Sequence, residues 1–225
     1  MILAFAGKRR AGKSTLANRL AAALEDQHLT CVRSGFSDPI HLVTGALLEY
    51  AGCDEMSRRD LVNGSLRDSH IVPEFGTTVR EFQQKLGTEF GRALIRADLW
   101  IDLWTSHLAA YHRNADVVLQ DSLRFPNEAA AIRAQGGIIC HLRQADAIRA
   151  TDELDAHSSE DGIPKQRGDL LIVVNHRWSL ARTEATVVKP LIAAITGGAT
   201  AAADLSGRVA DEMGAHPAIT IYTGD

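Results

Sequence analysis

Cysteine is scarce in this sequence of 225 residues, which contains three: Cys31, Cys53 and Cys140. Their number is odd and their spacings are wide. The pattern therefore fits neither a disulfide framework nor a zinc site, which needs ligands at short, regular spacings. We expect reduced thiols that pack as small apolar residues, as is typical of proteins in a reducing cytosol.

Two further absences narrow the class of protein. The 24 basic and 28 acidic residues leave a net charge of −4, so there is no large basic excess for coating nucleic acid. No apolar segment approaches the length of a membrane span. The apolar run at 2–6 also precedes the basic residues at 8–10, which reverses the order of a secretory signal. We expect a soluble cytoplasmic protein without nucleic-acid or membrane partners.

The N-terminal segment contains the most informative motif. Residues 7–14 read Gly-Lys-Arg-Arg-Ala-Gly-Lys-Ser, a complete G-x-x-x-x-G-K-[ST] phosphate loop. The apolar run at 2–6 predicts a buried strand before the loop, and spaced apolar residues at 15–24 predict a helix after it. The N-terminus of that helix would face the phosphates of a nucleotide.

The residue types of the loop suggest their roles. Backbone N–H groups would surround phosphate oxygens, Lys13 would carry its charge to the β- and γ-phosphates, and Ser14 would ligate Mg²⁺. We predict ATP as the phosphoryl donor and Mg²⁺ as the cofactor. The residues predicted to bind them are Gly7, Lys8, Gly12, Lys13, Ser14 and Thr15.

The rest of the chain alternates apolar strand-like segments with helical ones. Strands at 2–6, 31–36, 117–119, 138–142 and 170–174 predict an α/β P-loop NTPase fold with a parallel five-stranded sheet flanked by helices. We expect one P-loop domain over 1–196. It would have an inserted helical, substrate-binding region at about 38–112 and a lid-like loop at about 144–168. An Ala/Gly-rich tail follows at 197–225, where 199–213 predicts a weak helix.

A helical segment beginning at Thr77 or Thr78 offers a first candidate site for the second substrate. Arg80, Gln84 and Thr88 lie at i, i+4 and i+8 on one side of it, while apolar residues occupy another. Gly87 and Gly91 each cost a helix about 1 kcal/mol relative to alanine, which predicts a close approach of another group to the backbone. The alternative is a solvated polar face.

A second cluster follows the strand at 117–119. Asp121 at its carboxyl end is a candidate Walker B carboxylate and Mg²⁺ ligand, and Arg124 could meet a phosphate. A structural salt bridge from Arg124 to Asp121 or Glu128 is the alternative. In a third cluster, Arg143 precedes a polar, lid-like loop that contains Asp155, His157, Ser159 and Glu160, with no spacing typical of a metal site.

Taken in order, these segments resemble the deoxynucleoside monophosphate kinases of bacteriophages, in the P-loop nucleoside monophosphate kinase group. The resemblance spans about 1–195. It rests on the phosphate loop, the block at 80–92 with Asp98-Leu99-Trp100 after it, the run 124–128, Gly136-Gly137, the strand ending at Arg143, and the segments 155–160 and 169–175. It implies Mg²⁺-dependent transfer of the ATP γ-phosphate to a deoxynucleoside 5′-monophosphate, in the host cytoplasm if a phage encodes the chain. A homodimer is left open.

Phosphoryl transfer requires stabilisation of the charge that moves between two anions, and we expect Lys13, Arg124 and Arg143 to provide it. The resemblance implies that the substrate is bound by Arg80, Gln84, Gly87, Thr88, Trp100, Arg124 and Glu128, to which we add Asp38, Arg92 and Asp121. Trp100 and the glutamates would recognise the base and sugar, although Trp100, Leu103 and Trp104 could equally form a core stripe. We assign Trp104 to the core.

Two positions depart from the family's pattern. Ser14 stands where such kinases commonly have Asp, and Ser122 stands two residues before Arg124, where they commonly have Asp. Asp121 lies one position earlier, so either residue could occupy the acidic position. A kinase of another small metabolite, such as a coenzyme precursor or a sugar acid, would share the phosphate loop. A non-enzymatic nucleotide switch is disfavoured because neither an N-K-x-D motif nor an ABC-type signature is present.

Overall fold

A computed structural model describes residues 1–8, 11–144, 163–175, 177–197 and 218–223. Several sequence-based expectations lie outside these residues: the part of the phosphate loop at Arg9 and Arg10, most of the lid-like loop with Asp155, His157, Ser159 and Glu160, and the weak helix at 199–213. The chain divides into two compact units. We call Met1–Ser34 with Ala109–Asp225 the sheet unit, and Gly35–Leu108 the helical unit.

The strands and helices of the described residues are numbered in chain order. The strands are β1 (Ile2–Ala6), β2 (Cys31–Arg33), β3 (Ile71–Val72), β4 (Thr77–Thr78), β5 (Val117–Gln120), β6 (Ile138–Gln144), β7 (Leu170–Val174) and β8 (Ile219–Ile221). The helices are α1 (Lys13–Glu25), α2 (Asp38–Tyr50), α3 (Glu55–Asn63), α4 (Val79–Gln84), α5 (Leu99–Asn114), α6 (Pro126–Ala134) and α7 (Leu180–Thr183). Helix α4 continues as π-helical turns over Lys85–Ile95, and α7 as π-helical turns over Glu184–Val188 and a helix at 189–197.

The sheet unit is built on one sheet with the strand order β2-β5-β1-β6-β7-β8. Strands β2, β5, β1, β6 and β7 are parallel, which confirms the predicted five-stranded parallel sheet. A sixth strand, β8, pairs antiparallel with β7 and was not predicted. It lies in the segment that the sequence analysis describes as a tail. Three residues at 219–221 are too few to show the period of a strand, which is why the pattern did not predict it.

The central strands are buried because they are covered on both faces. All five residues of β1 are buried, as are all four of β5, which matches their uninterrupted apolar sequences. Helix α1 packs Leu16, Leu20 and Leu24 into the same core. The carboxyl ends of β1, β5 and β6 therefore lie side by side at one edge of the sheet, where α/β proteins bind ligands.

The helical unit contains α2, α3, the β3-β4 hairpin, α4 with its π-helical turns, and the first part of α5. Its core is Leu48, Leu61, Val62, Val72 and Val79. As predicted, the Thr78 hydroxyl caps α4 by accepting from the Glu81 N–H. The predicted apolar stripe fails further along, where Phe90 is 48% and Leu94 73% exposed. The change to π-helical turns at Lys85 moves later residues off the 3.6-residue period.

Candidate active site

The phosphate loop joins β1 to α1 in the backbone shape that its glycines allow. Gly7 has φ 144° and Gly12 has φ 94°, values that residues with a side chain rarely adopt. A Cβ at Gly7 would also lie 2.6 Å from the Leu142 carbonyl oxygen of β6. The glycines are therefore required both by the turn and by the close packing of the loop on the neighbouring strand.

The first turn of α1 is open to an anion. Gly12 is the N-cap residue and provides no side-chain cap, and no acidic residue lies in the first turn. Ser14 and Thr15 are exposed there. The Lys13 ammonium donates to the Gly7 carbonyl oxygen at 2.5 Å and to the Lys8 carbonyl oxygen at 2.9 Å, so its charge lies over the loop. The backbone N–H groups of this first turn, the helix dipole and the Lys13 charge together favour phosphate.

Gln144, at the end of β6, holds the loop from another side and was not among the predicted site residues. Its Nε2 donates to the Ala11 carbonyl oxygen at 3.2 Å, while its Oε1 is buried and has no hydrogen-bond partner among the described residues. A buried acceptor without a partner is uncommon. The signal in the sequence was a polar residue at the carboxyl end of a strand beside β1, a position that commonly lines a ligand site.

Asp121 follows β5, the strand that pairs directly with β1, as the sequence analysis predicted. Its Oδ2 forms an ion pair with Nη2 of Arg33, at the end of β2. Nη1 of the same guanidinium donates to Oδ1 of Asn18 on α1. Sequence reasoning weighed Arg124 as the ion-pair partner of Asp121 and missed Arg33, which is distant in the chain.

Arg124 and Glu128 have different environments. Arg124 is exposed, and its guanidinium has no hydrogen-bond or ion-pair partner among the residues that the structure describes. Glu128 is buried, and its Oε2 accepts from the Arg124 N–H at 2.7 Å and the Phe125 N–H at 3.1 Å. The two side chains therefore form no salt bridge with each other. The Glu128 carboxylate caps α6 and holds the backbone of Arg124, which gives a structural reason for a residue predicted to contact substrate.

Arg143 is the second-last residue of β6 and lies opposite Val173 of β7. Its side chain is half-buried, and the guanidinium has no partner within the described ranges.

His141, on the same face of the strand, belongs to a buried cluster. Its Nε2 lies 2.9 Å from Oδ2 of Asp169, and Arg133 Nη2 donates to that oxygen at 2.7 Å.

The environment of this buried cluster lowers the pKa values of both His141 and Asp169. Burial lowers the pKa of His141, although the hydrogen bond to Asp169 and its charge act in the opposite direction. Burial alone would raise the pKa of Asp169, but hydrogen bonds from Arg133, the Gln166 N–H and His141 outweigh it and lower that pKa. All three thiols are free, and burial raises the pKa of Cys140. We assign His141, Asp169, Arg133 and Cys140 to the scaffold of the sheet unit.

In the helical unit, several residues that were predicted to bind the second substrate lie along α4 and its π-helical continuation. Arg80 Nη1 donates to Oδ2 of Asp68 at 3.1 Å, and Arg92 Nη1 donates to the Ala97 carbonyl oxygen at 3.0 Å. Gln84 and Thr88 are exposed. Near the start of the unit, Oδ2 of Asp38 accepts from the Gly35 N–H at 2.8 Å.

Trp100 is part of the core rather than an open ligand surface. It is 4% exposed, and its Nε1 donates to the Gly87 carbonyl oxygen at 2.7 Å. A Cβ at Gly91 would lie 2.3 Å from its ring, so both glycines show the close approach that the sequence predicted. Because the ring is buried and its N–H is used inside the helical unit, we assign Trp100 to the core, the alternative that the sequence left open, rather than to base recognition. Trp104 is buried, as predicted.

A family model described as deoxynucleotide monophosphate kinase matches residues 57–182, more than half of the chain. The chain belongs to the deoxynucleotide monophosphate kinase family. It is therefore an ATP-dependent nucleotide kinase, in agreement with the phosphate loop and the parallel sheet described above. The matched residues include Arg80, Asp121, Arg124 and Arg143 but not the phosphate loop itself.

A shikimate kinase from Bacteroides thetaiotaomicron aligns at 17% sequence identity and a TM-score of 0.31, over 72% of this chain and 71% of that chain. No curated protein sequence matches the kinase. Among the residues described by the structure, no helix is both long enough and apolar enough to cross a membrane.

The predicted Mg²⁺ ligands suit a cation that is held partly by its substrate. No group of three or more His, Cys, Asp or Glu side chains that could hold a metal occurs in the described part of this kinase. A hydroxyl from Ser14 and a carboxylate from Asp121 are hard oxygen donors, and Mg²⁺ commonly takes one or two such ligands together with phosphate oxygens and water. The donor set is therefore compatible with Mg²⁺ bound to ATP.

Proposed function

We propose that this kinase transfers the γ-phosphate of ATP to a deoxynucleoside 5′-monophosphate, giving ADP and the deoxynucleoside diphosphate. The observation that carries the proposal is the phosphate loop, in which the N-terminus of α1 has no side-chain cap and the Lys13 ammonium lies over the loop. The loop follows β1, and the neighbouring strand β5 leads to Asp121 and Arg124. Family membership supports a nucleotide as the acceptor.

The donor would bind through the loop backbone. The N–H groups at the start of α1 would bind phosphate oxygens, and Lys13 would move from the Gly7 and Lys8 carbonyl oxygens to the β- and γ-phosphates. Gln144 supports this arrangement because its amide holds the Ala11 carbonyl oxygen. Mg²⁺, held by Ser14 and Asp121, would supply neutralisation of charge on the β- and γ-phosphates.

The acceptor needs little chemical activation. Its 5′-phosphate is an anionic nucleophile: one of its oxygens forms the new bond to the γ-phosphorus while the bond from that phosphorus to the β,γ-bridging oxygen breaks. The protein must align two anions and stabilise the charge between them. Arg124 is proposed for this role because its guanidinium is exposed and has no partner in the described residues, while Glu128 holds its backbone. Arg143 is proposed for it on the same basis of an unpartnered guanidinium.

Residues of the helical unit would select the acceptor. Gln84 and Thr88 are exposed and could hydrogen-bond a base or sugar, and Arg80 could exchange its contact with Asp68 for a phosphate. Asp38 and Arg92 remain in the proposal as residues that hold the backbone near the substrate-binding residues, through the Gly35 N–H and the Ala97 carbonyl oxygen respectively. A preference for deoxyribose over ribose is proposed from the family alone.

The deciding experiment is to measure ADP formation with matched deoxy- and ribonucleoside monophosphates of every base. The Lys13→Ala variant and a reaction without Mg²⁺ serve as controls. We expect at least one deoxynucleotide to be phosphorylated with a higher kcat/KM than its ribonucleotide. Equal values for every pair would reject deoxy selectivity. If no nucleotide is phosphorylated, the acceptor is another small metabolite and the proposal is wrong.

A further inference from the structure

Arg33 connects two parts of the sheet unit that adjoin the phosphate loop. It ends β2, the edge strand that pairs with β5, and it lies opposite Leu119 in that pairing. One arm of its guanidinium meets the Asp121 carboxylate after β5, and the other meets the Asn18 side chain on α1. The planar fork of arginine allows two acceptors on different elements to be held at once.

The contact with Asn18 brings Asp121 close to the part of α1 that carries Ser14. Asn18 is four residues after Ser14, so the two side chains lie one above the other on the same face of the helix. Because one guanidinium binds both Asn18 and Asp121, the carboxylate lies beside this face. The arginine takes Oδ2 of Asp121, and Oδ1 has no hydrogen-bond partner in the described part of the chain.

We propose that Arg33 is a positioning residue for the cation site: it holds Asp121 by one carboxylate oxygen and leaves the other to bind Mg²⁺ or one of its waters. The inference rests on the proposed function in that Ser14 and Asp121 are taken as the Mg²⁺ ligands. Asn18 completes the arrangement by holding the second arm of the arginine. Groups that orient a ligand in this way typically change metal affinity by about 10- to 100-fold when they are removed.

A simple surface ion pair is the competing explanation, and the two differ in what they predict. The Asp121 side chain is 19% exposed and that of Arg33 40%, so the pair is only partly screened by water. An ion pair without further function would contribute to folding stability alone. A positioning residue would change cation binding in a protein that remains folded.

The test measures Mn²⁺ as an EPR-visible substitute for Mg²⁺ and follows its binding to the protein with ATP. We compare the wild type with Arg33→Gln, Arg33→Lys and, as a matched control, Arg113→Gln, because Arg113 is exposed on α5 in the same unit. For Arg33→Gln we expect the Mn²⁺ concentration at half-saturation to rise about tenfold or more, with metal-free ATP affinity unchanged. Arg33→Lys should give a smaller rise, because an ammonium cannot bridge both acceptors in the same geometry.

A double-mutant cycle makes the test more specific. In an Asp121→Asn background, Arg33→Gln should change Mn²⁺ binding little further, since its effect acts through Asp121. A lower melting temperature for Arg33→Gln with unchanged Mn²⁺ binding would overturn the proposal, because it indicates an ion pair for stability only. Tighter Mn²⁺ binding would also overturn it, because Arg33 would then compete with the cation.

Failure of the inference can be separated from failure of the proposed function. If the wild type binds Mn²⁺ with ATP and Arg33→Gln binds it equally well, Arg33 has no positioning role, while the kinase assignment is unaffected. If Arg33→Gln weakens Mn²⁺ binding but no nucleoside monophosphate is phosphorylated, the positioning role is supported and the proposed acceptor is wrong. A wild type without cation-dependent ATP binding would overturn both.

Discussion

The indole ring of Trp100 lies directly on the backbone of Gly91. A Cβ added to Gly91 would be 2.3 Å from Cζ2 and 2.6 Å from Nε1 of that ring. The same edge of the ring is held in place, because Nε1 donates to the Gly87 carbonyl oxygen at 2.7 Å. The glycines after α4 and the tryptophan of α5 are therefore one packed feature of the helical unit.

Gly91→Ala should destabilise the protein because the ring cannot retreat without breaking its hydrogen bond. Overpacking of this kind typically costs about 1–3 kcal/mol. Gly45→Ala is the matched control: Gly45 lies in α2 with nothing within 4 Å of its added Cβ, so we expect a gain of about 0.5–1 kcal/mol. Urea denaturation of both variants checks this. If both substitutions change the free energy of unfolding equally, the ring of Trp100 leaves room for a Cβ at Gly91 and the prediction is wrong.

Lys13→Ala should reduce phosphoryl transfer and leave the fold nearly intact. The ammonium donates to the Gly7 and Lys8 carbonyl oxygens of the loop, and its proposed role is to stabilise charge in the transition state. Loss of such a group typically lowers kcat by about 10²- to 10³-fold. Turnover at saturating ATP and Mg²⁺ gives the measurement, with circular dichroism as the check on folding. Near-normal turnover would contradict the assignment of the phosphate loop.

Arg124→Ala should raise the KM for the acceptor and lower kcat, with little change in ATP binding. The reason is that the guanidinium has no partner in the described residues, so its removal breaks no internal contact. Steady-state kinetics with each substrate varied in turn will separate the two effects, and Arg113→Gln is a control for loss of one positive charge. An unchanged acceptor KM would remove Arg124 from the site.

Glu128→Ala should destabilise the protein more than Glu128→Gln. The carboxylate is buried and accepts two backbone N–H groups, and alanine leaves both without a partner, at a cost of about 1–3 kcal/mol. A glutamine oxygen can still accept them. Thermal denaturation of the two variants provides the comparison. A fully stable alanine variant that loses activity would instead restore the predicted substrate contact.

Stability should fall as the pH drops below the ordinary pKa of histidine. Burial lowers the pKa of His141 below its usual value near 6.5. The unfolded chain therefore takes up a proton below pH 6.5 that the folded chain resists, and the free energy of unfolding, undiminished above that pH, declines as the pH falls. The lowered pKa of Asp169 adds a further loss only in more acidic solution.

The pH dependence can be assigned with one substitution. His141→Gln should flatten the change in urea midpoint between pH 7 and pH 5, on the scale set by an ordinary histidine pKa of about 6.5. His112→Gln, on the exposed end of α5, is the matched control and should leave the slope unchanged. A slope that survives in His141→Gln would assign the effect to another group.

Local sequence patterns were enough to predict the phosphate loop, the strands β1, β2, β5, β6 and β7, and the cap at Thr78. Each of these depends on neighbouring residues: a run of apolar side chains, a glycine that allows a turn, or a hydroxyl three residues before an N–H. The family follows from the order of such local motifs, since that order is a property of the chain itself.

The remaining features depended on residues that only the fold brings together. Arg33 meets Asp121 across 88 positions of the chain, and His141 meets Asp169 across 28. A charge by itself does not indicate its partner, because many distant partners are chemically equivalent until strands are aligned in register. The amino-acid sequence thus determined the strand, the glycine turn and the helix that form the phosphate loop. The tertiary structure decided that Glu128 caps a helix, that Trp100 packs on glycine, and that Arg33 holds Asp121, because burial and pairing depend on positions in space.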